Sequence, residues 1–176
     1  MFSSTESEEM IRQWFQKDAH SFDHDFDMTT LQWMRSRRDP LYHLHYVLCQ
    51  EKAGQWWRYI FFFERSSEKT PFTQLDMGGS HFPSPYPDNR LIHLHHARLA
   101  ERFYAHGEIS EKLSHATKIR LVSPDGLMLE DTAHNGLVIF ASRERPEYPF
   151  MLELYNDAGQ LIGQQTEGGL RWSPAT

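Results

Sequence analysis

The chain has 176 residues, 39% hydrophobic and 24% charged, which predicts one folded domain over residues 1–176 and excludes a disordered chain. Its formal net charge of −6, with no basic cluster longer than residues 35–38, argues against a nucleic-acid partner, which needs a basic footprint. The lone Cys49 excludes an intrachain disulfide, the longest apolar run is too short for a membrane span, and the first ten residues do not have the pattern of a signal peptide, so we expect a cytoplasmic protein with no membrane partner.

Two helices are predicted at the N-terminal end. Thr5 and Glu8 fit a capping box, and apolar residues follow at helical spacing, so a first helix is expected over residues 6–18. A short second helix is expected over residues 29–37, because a threonine pair can cap its start and Pro40 enforces its end. The acidic residues between the two helices are interpreted as a solvated connector.

The most aromatic stretch, residues 41–65, is predicted to form a β-hairpin. Side chains alternate between the faces of a strand, and the apolar rows of both strands should share one face. A four-residue loop, Glu51–Gly54, places the two rows on one face, because it pairs even positions of the first strand with odd positions of the second. Gly54 can adopt the positive φ that such a turn often needs. The predicted pairs on this core face are Leu48 with Trp57, Tyr46 with Tyr59, and Leu44 with Phe61. A slip of one residue would move a whole row to the other face.

The opposite face of the hairpin is the candidate binding surface. It is predicted to carry a mixed set of side chains: His43, His45, Cys49, Trp56, Arg58, Ile60, Phe62 and Glu64. This face is too apolar for open water, so we expect a helix of the chain, a ligand or a partner to cover it. Tryptophan and arginine are enriched at interface hot spots, which indicates Trp56, Arg58 and Phe62 as its centre. His43 and His45, on the same predicted face, are also candidate residues for binding the ligand or partner.

Residues 66–89 are predicted to form a long irregular loop. Four prolines and the Gly78–Gly79 pair interrupt regular elements there. Loops of this length are often binding loops or mobile segments, so Phe82 and Tyr86 are candidate contacts to a ligand or partner. Plain disorder is the alternative interpretation.

A central helical pair is predicted after this loop. Asp88 or Asn89 would cap a helix whose apolar stripe includes Ile92 and Phe103, and Gly107 would end it. A strand over residues 91–95 is the alternative for its beginning. A shorter helix is expected over residues 108–116.

The final third of the chain is predicted to form strands separated by turns. The strands cover residues 119–122, 127–129, 137–141, 150–155 and 161–165, and residues 166–176 are interpreted as a loose tail. Connections this short join antiparallel neighbours. The predicted fold class is therefore α+β: an antiparallel, strongly curved sheet of about seven strands, with two N-terminal helices and the central helical pair packed on it.

His43 and His45 are also candidate metal ligands. Two histidines at positions i and i+2 of a strand project to the same side and can share a divalent transition metal. A third ligand would come from Glu51, Glu64 or a histidine of the predicted helix over residues 89–106. The pair resembles the first metal motif of the cupins, but its spacing to Glu51 is too long and no second motif follows, so no cupin property is assigned.

Three functions agree with these patterns. The favoured one is a non-catalytic binding protein, without a cofactor, that uses the second hairpin face and the loop over residues 66–89 to hold a protein partner or an apolar ligand. One alternative is a metal-dependent enzyme centred on His43 and His45. The other is a barrel-like carrier of a small ligand, in which the aromatic row of residues 57–63 lines a cavity.

Overall fold

The computed structural model describes residues 5–19, 24–82, 90–99 and 102–167. The chain divides into two compact units, Met1–Pro85 and Tyr86–Thr176. The described residues are mostly β, with one α-helix and eleven strands, and none of their helices is long and apolar enough to cross a membrane. Whether the two units form the predicted single domain depends on how they associate, so the single domain stays a prediction.

The first unit contains a helix and one four-stranded antiparallel sheet. The elements are α1 (Glu6–Gln13), β1 (Phe26–Arg38), β2 (Tyr42–Glu51), β3 (Trp56–Glu64) and β4 (Thr73–Phe82), and the strand order is β1-β2-β3-β4. The capping box of α1 is confirmed, since Thr5 accepts a hydrogen bond from the Glu8 amide and the Glu8 carboxylate accepts one from the Thr5 amide. A π-helical turn, Trp14–Asp18, extends the helix to its predicted end.

The predicted second helix is wrong, because residues 29–37 lie in the edge strand β1. Two register shifts against β2 interrupt this strand and break the alternation that would have marked it as a strand. At the first shift the Thr29 amide donates to the Asp27 carboxylate, and the Thr30 hydroxyl accepts from the Gln50 amide. These side chains replace ladder hydrogen bonds, so the strand continues past the irregularity.

The second unit is built from two antiparallel sheets. Its strands are β5 (Ile92–Leu99), β6 (Arg102–Ile109), β7 (Lys118–Val122), β8 (Met128–Thr132), β9 (Leu137–Ser142), β10 (Phe150–Tyr155) and β11 (Leu161–Glu167). The sheet orders are β5-β6-β9 and β11-β10-β7-β8. Both sheets contribute buried residues to one core cluster, including Ile92 and Phe140 from the first sheet and Leu121 and Leu152 from the second. The strands predicted for the final third are thereby confirmed. The prediction that their short connections join antiparallel neighbours is wrong for β9, which pairs with β6 in the other sheet.

The predicted central helical pair is wrong. Strands β5 and β6 replace the long helix, and residues 108–116 contain only a 3-10 turn, Glu111–Leu113. Ile92 and Leu94 are buried while His95 is exposed, so the alternation of a strand outweighs helix propensity here. Gly107 does not end a helix but lies within β6, where a Cβ would approach the His93 carbonyl oxygen to 2.8 Å.

The predicted fold class therefore needs correction from α+β to mainly β. The single curved sheet of about seven strands is wrong, since the described strands form three separate sheets and none of these is curled into a barrel. The predicted loop over residues 66–89 contains strand β4, and residues 83–89 lie outside the described part of the chain. The predicted tail begins inside β11, and residues 168–176 also lie outside that part.

Candidate functional site

The register of the central hairpin differs from the prediction by one residue. Val47 lies opposite Tyr59, and the predicted partner of Tyr59 was Tyr46. The cause is the turn, which has three residues between Glu51 and Gln55 instead of four: the Glu51 amide donates to the Gln55 carbonyl, and the Gly54 amide donates to the Glu51 carbonyl, both at 2.8 Å. Gly54 has a φ of 96°, as expected for a three-residue hairpin loop with a glycine bulge.

This register places the histidines on the same face as the aromatic row. His43 lies opposite Phe63, and His45 lies opposite Phe61. Helix α1 covers this face, and together they form one core cluster of buried residues: Ile11, Trp14, Phe15, Ala19, Phe26, Val47, Cys49, Tyr59, Phe61, Phe63 and Phe72. The predicted separation of a core face from a histidine face is therefore wrong.

The predicted binding residues are divided between the two faces of the sheet. Arg58 and Phe62 lie on the face opposite to the histidines, and both are buried. Trp56 is half-buried and lies opposite Phe82, which belongs to β4. Tyr86 lies outside the described residues. The structure thus brings His43 and His45 together but separates them from Trp56, Arg58 and Phe62.

A polar network joins helix α1 to the sheet through the two histidines. The Ser7 hydroxyl lies 2.7 Å from His43 Nδ1 and 2.8 Å from His45 Nε2, and the Ser36 hydroxyl lies 2.8 Å from His45 Nδ1. A serine hydroxyl has one proton, so Ser7 donates to at most one of the two imidazoles and accepts from at least one. Thr5 adds a further hydroxyl contact to Ser7 at 3.1 Å. The network satisfies polar groups that would otherwise be buried at a cost in free energy.

Burial keeps both imidazoles neutral. It is the main cause that lowers the pKa of His45 to about 3, and the charge of Arg38 and the neighbouring His43 act in the same direction. The pKa of His43 is lowered first by burial and then by Arg38 and Arg65, against the opposing effect of Glu8 and Glu6. Neutral imidazoles suit a network of hydroxyl partners.

Ser7 is a residue that the sequence reasoning missed. It lies four residues before Ile11 and seven before Trp14, on the inward stripe of α1, and that spacing is the signal that could have identified it. Ser7 and His45 are both 0% exposed, so a substrate has no access to the serine hydroxyl. The serine and histidine pair therefore resembles a nucleophile and base in residue type only, and its position gives it a structural role.

Two of the residues proposed as metal ligands, His45 and Glu51, contact other side chains of the first unit. Both ring nitrogens of His45 contact serine hydroxyls, and Glu51 contacts His24 near the other end of β2. Among residues 5–19, 24–82, 90–99 and 102–167, no group of three or more His, Cys, Asp or Glu side chains is arranged to hold a metal ion. A metal at His43 and His45 stays a prediction.

Cys49 is buried on the same face of the sheet. It is 0% exposed, its sulfur lies 3.6 Å from the Asp27 carbonyl oxygen, and burial raises the pKa of its thiol. A thiol in this setting is a poor nucleophile, since the thiolate is the reactive form. We expect Ellman's reagent to modify Cys49 at least about 100-fold more slowly in the native chain than in guanidinium chloride. Equal rates in both conditions would contradict this burial.

A second feature lies at the edge of the sheet β5-β6-β9, in the second unit. The side-chain amide of Gln165, from β11, bonds the backbone at the start of β5: its oxygen accepts from the amides of Leu91 at 2.7 Å and Ile92 at 3.2 Å, and its nitrogen donates to the Ile92 carbonyl at 2.7 Å. The amide of Gln165 therefore occupies the place of a peptide group from a neighbouring strand. His95 and His106 stack on one face of this sheet, with ring centroids 5.2 Å apart.

Comparison with models of known protein families, with curated proteins and with solved structures finds no match to this chain.

Proposed function

We propose that this chain is a non-catalytic binding protein that holds a segment of a protein partner on the surface of its β-sheets. The observation that supports the proposal is the burial of the side chains in the first unit that could react with a substrate. Ser7, His45 and Cys49 are each 0% exposed, and each contacts polar groups of the chain itself. Ser7 and His45 hold the helix on the sheet, Cys49 contacts strand β1, and all three side chains are withdrawn from any substrate.

The sheets offer backbone groups to a partner in place of reactive side chains. Each described sheet is open, and open edges provide hydrogen-bond donors and acceptors for an added strand. Interfaces of this kind obtain affinity from backbone hydrogen bonds and specificity from alternate side chains. A protein segment therefore suits this architecture better than a small apolar ligand, which needs a concave pocket.

Two measurements on the intact chain test the proposal. We expect selection from a displayed peptide library to yield ligands that bind saturably with one-to-one stoichiometry. We also expect a fluorophosphonate probe, which labels activated serines, to leave Ser7 unmodified in the native chain. Stoichiometric labelling of Ser7 that is lost in Ser7→Ala would overturn the proposal, and so would a library selection that yields no ligand.

A further inference from the structure

Strands β5 and β6 carry two histidines directly opposite each other. His95 pairs with His106 in a ladder of eight residue pairs that has no register shift. Side chains alternate strictly along such a ladder, so Ile92 and Leu94 are buried on one face while His95 is exposed on the other. Directly opposed residues have Cβ atoms about 4.5–5.5 Å apart. The two imidazoles are therefore held close together by two hydrogen-bonded strands.

The distance between the two rings fits two ligands of one metal ion. A bond from a metal to a histidine nitrogen is about 2.0–2.1 Å long, so two imidazoles on one tetrahedral ion have ring centroids roughly 5 Å apart. The centroids of His95 and His106 are 5.2 Å apart. The ring planes are inclined by only 17°, so both rings must tilt toward one ion to bind it. The torsion that tilts a histidine ring has a broad energy minimum, and this adjustment costs little free energy.

An ion in solution has access to this pair, in contrast to the histidines of the central hairpin. His95 is exposed and His106 is half-buried. His45 is 0% exposed, and serine hydroxyls lie at both of its ring nitrogens. A metal site needs ligands at the right distance and a path by which the ion enters. The pair on β5 and β6 meets both conditions.

We propose that His95 and His106 together bind one divalent transition-metal ion, which bridges β5 and β6. Imidazole nitrogens suit Zn²⁺, Cu²⁺ and Ni²⁺, whereas Mg²⁺ and Ca²⁺ prefer oxygen ligands. No third His, Cys, Asp or Glu side chain of the described part of the chain is arranged to complete a metal site, so water occupies the remaining positions of the ion. This site goes beyond the proposed function and does not depend on it.

Zinc titration of the full chain, prepared without a histidine tag, tests the site. We expect the imidazole signals of His95 and His106 to shift together and saturably in NMR spectra as one Zn²⁺ binds to the pair. Mg²⁺ at the same concentration is the matched control, and we expect it to shift neither ring. The measurement uses the unmodified chain, so it does not depend on the folding of any variant. Unchanged signals of His95 and His106 at saturating Zn²⁺ would overturn the proposal.

Variants show whether the two histidines share one ion. In isothermal titration calorimetry we expect His95→Ala and His106→Ala each to weaken Zn²⁺ binding at least about tenfold, and the double variant to lose little more, because both side chains serve one site. The control is His115→Ala, since His115 is exposed and lies outside both strands, and we expect its affinity to stay within about twofold. Two independent sites of one histidine each would leave every single variant with half of the bound zinc. That result would overturn the proposal.

A third variant separates this site from the metal predicted at the central hairpin. Loss of Zn²⁺ binding in His43→Ala, with binding unchanged in His95→Ala, would transfer the ion to the hairpin and overturn the proposal. Failure of the chain to bind Zn²⁺ at His95 and His106 would leave the proposed function in place, because the binding of a protein segment on the sheets needs no metal. A library selection that yields no ligand would overturn that function and leave the zinc result standing.

Discussion

The free energy of unfolding is expected to fall as the pH is lowered below 6.5, because His45 is held neutral in the folded chain. The pKa of His45 is about 3 in the folded chain, and its ordinary value is 6.5. Between these two pH values the unfolded chain therefore binds one more proton than the folded chain does. Stability from His45 is therefore complete above pH 6.5 and is lost as the pH falls toward 3. The slope is about 1.4 kcal/mol per pH unit, which gives a loss of about 3 kcal/mol at pH 4.5.

Urea denaturation of the chain and of two variants at several pH values measures this loss. His45→Gln removes the buried titrating group, so we expect its stability to change less steeply with pH by about 1.4 kcal/mol per unit. The control is His115→Gln, since His115 is exposed, and we expect its curve to run parallel to that of the unmodified chain. Parallel curves for all three proteins would contradict a buried neutral His45.

The turns of this chain were predictable from the sequence, but the predicted register of the central hairpin was wrong by one residue. Three hairpin turns have the same form, each with three loop residues that end in a glycine of positive φ: Gly54, Gly126 and Gly159. In each turn the glycine amide donates to the carbonyl three residues earlier. If the same three-residue turn had been predicted at residues 51–55, odd positions of the first strand would have been paired with odd positions of the second, as the structure has them. The assumption that the apolar rows of both strands share one face favoured the other parity.

The position of the histidines depends on contacts that no local pattern contains. Ser7 is 36 residues from His43 and 38 from His45 along the chain, and it satisfies both inside the core. With such a partner the cost of burying an imidazole is largely removed. Hydrophobic alternation alone therefore assigned His43 and His45 to the wrong side of the hairpin.

The incorrect prediction of helices at residues 29–37 and in the central part of the chain has a related cause. In residues 29–37 the bulges of β1 disturb the two-residue period. In residues 97–99 and 102–104 good helix formers lie in strands because the sheet β5-β6-β9 buries their neighbours. Tertiary packing outweighs a propensity of a few tenths of a kcal/mol per residue. The first helix and the strands of the final third were predictable, since cap, period and turns agree there.

Gly79→Ala is expected to destabilise the first unit by about 2–3 kcal/mol, because a methyl group at this position meets the Tyr59 ring. Gly79 lies directly opposite Tyr59 in the pairing of β3 with β4, and a Cβ there would approach the ring carbon Cε1 to 2.3 Å. The ring has no room to move, since Trp14 and Phe15 pack against it with centroids 5.2 and 5.4 Å away. Relief of the clash therefore requires β4 to shift or the aromatic core to repack.

The neighbouring Gly78 provides a matched control for this prediction. A Cβ at Gly78 would lie 3.5 Å from Ile60 Cγ2, an ordinary van der Waals contact. Gly78→Ala also reduces the conformational freedom of the unfolded chain, so we expect a change between zero and about 1 kcal/mol in the stabilising direction. Chemical denaturation of both variants measures the difference. Equal stabilities for Gly78→Ala and Gly79→Ala would show that Tyr59 does not lie across β4, and the register of the strand pair would then be wrong.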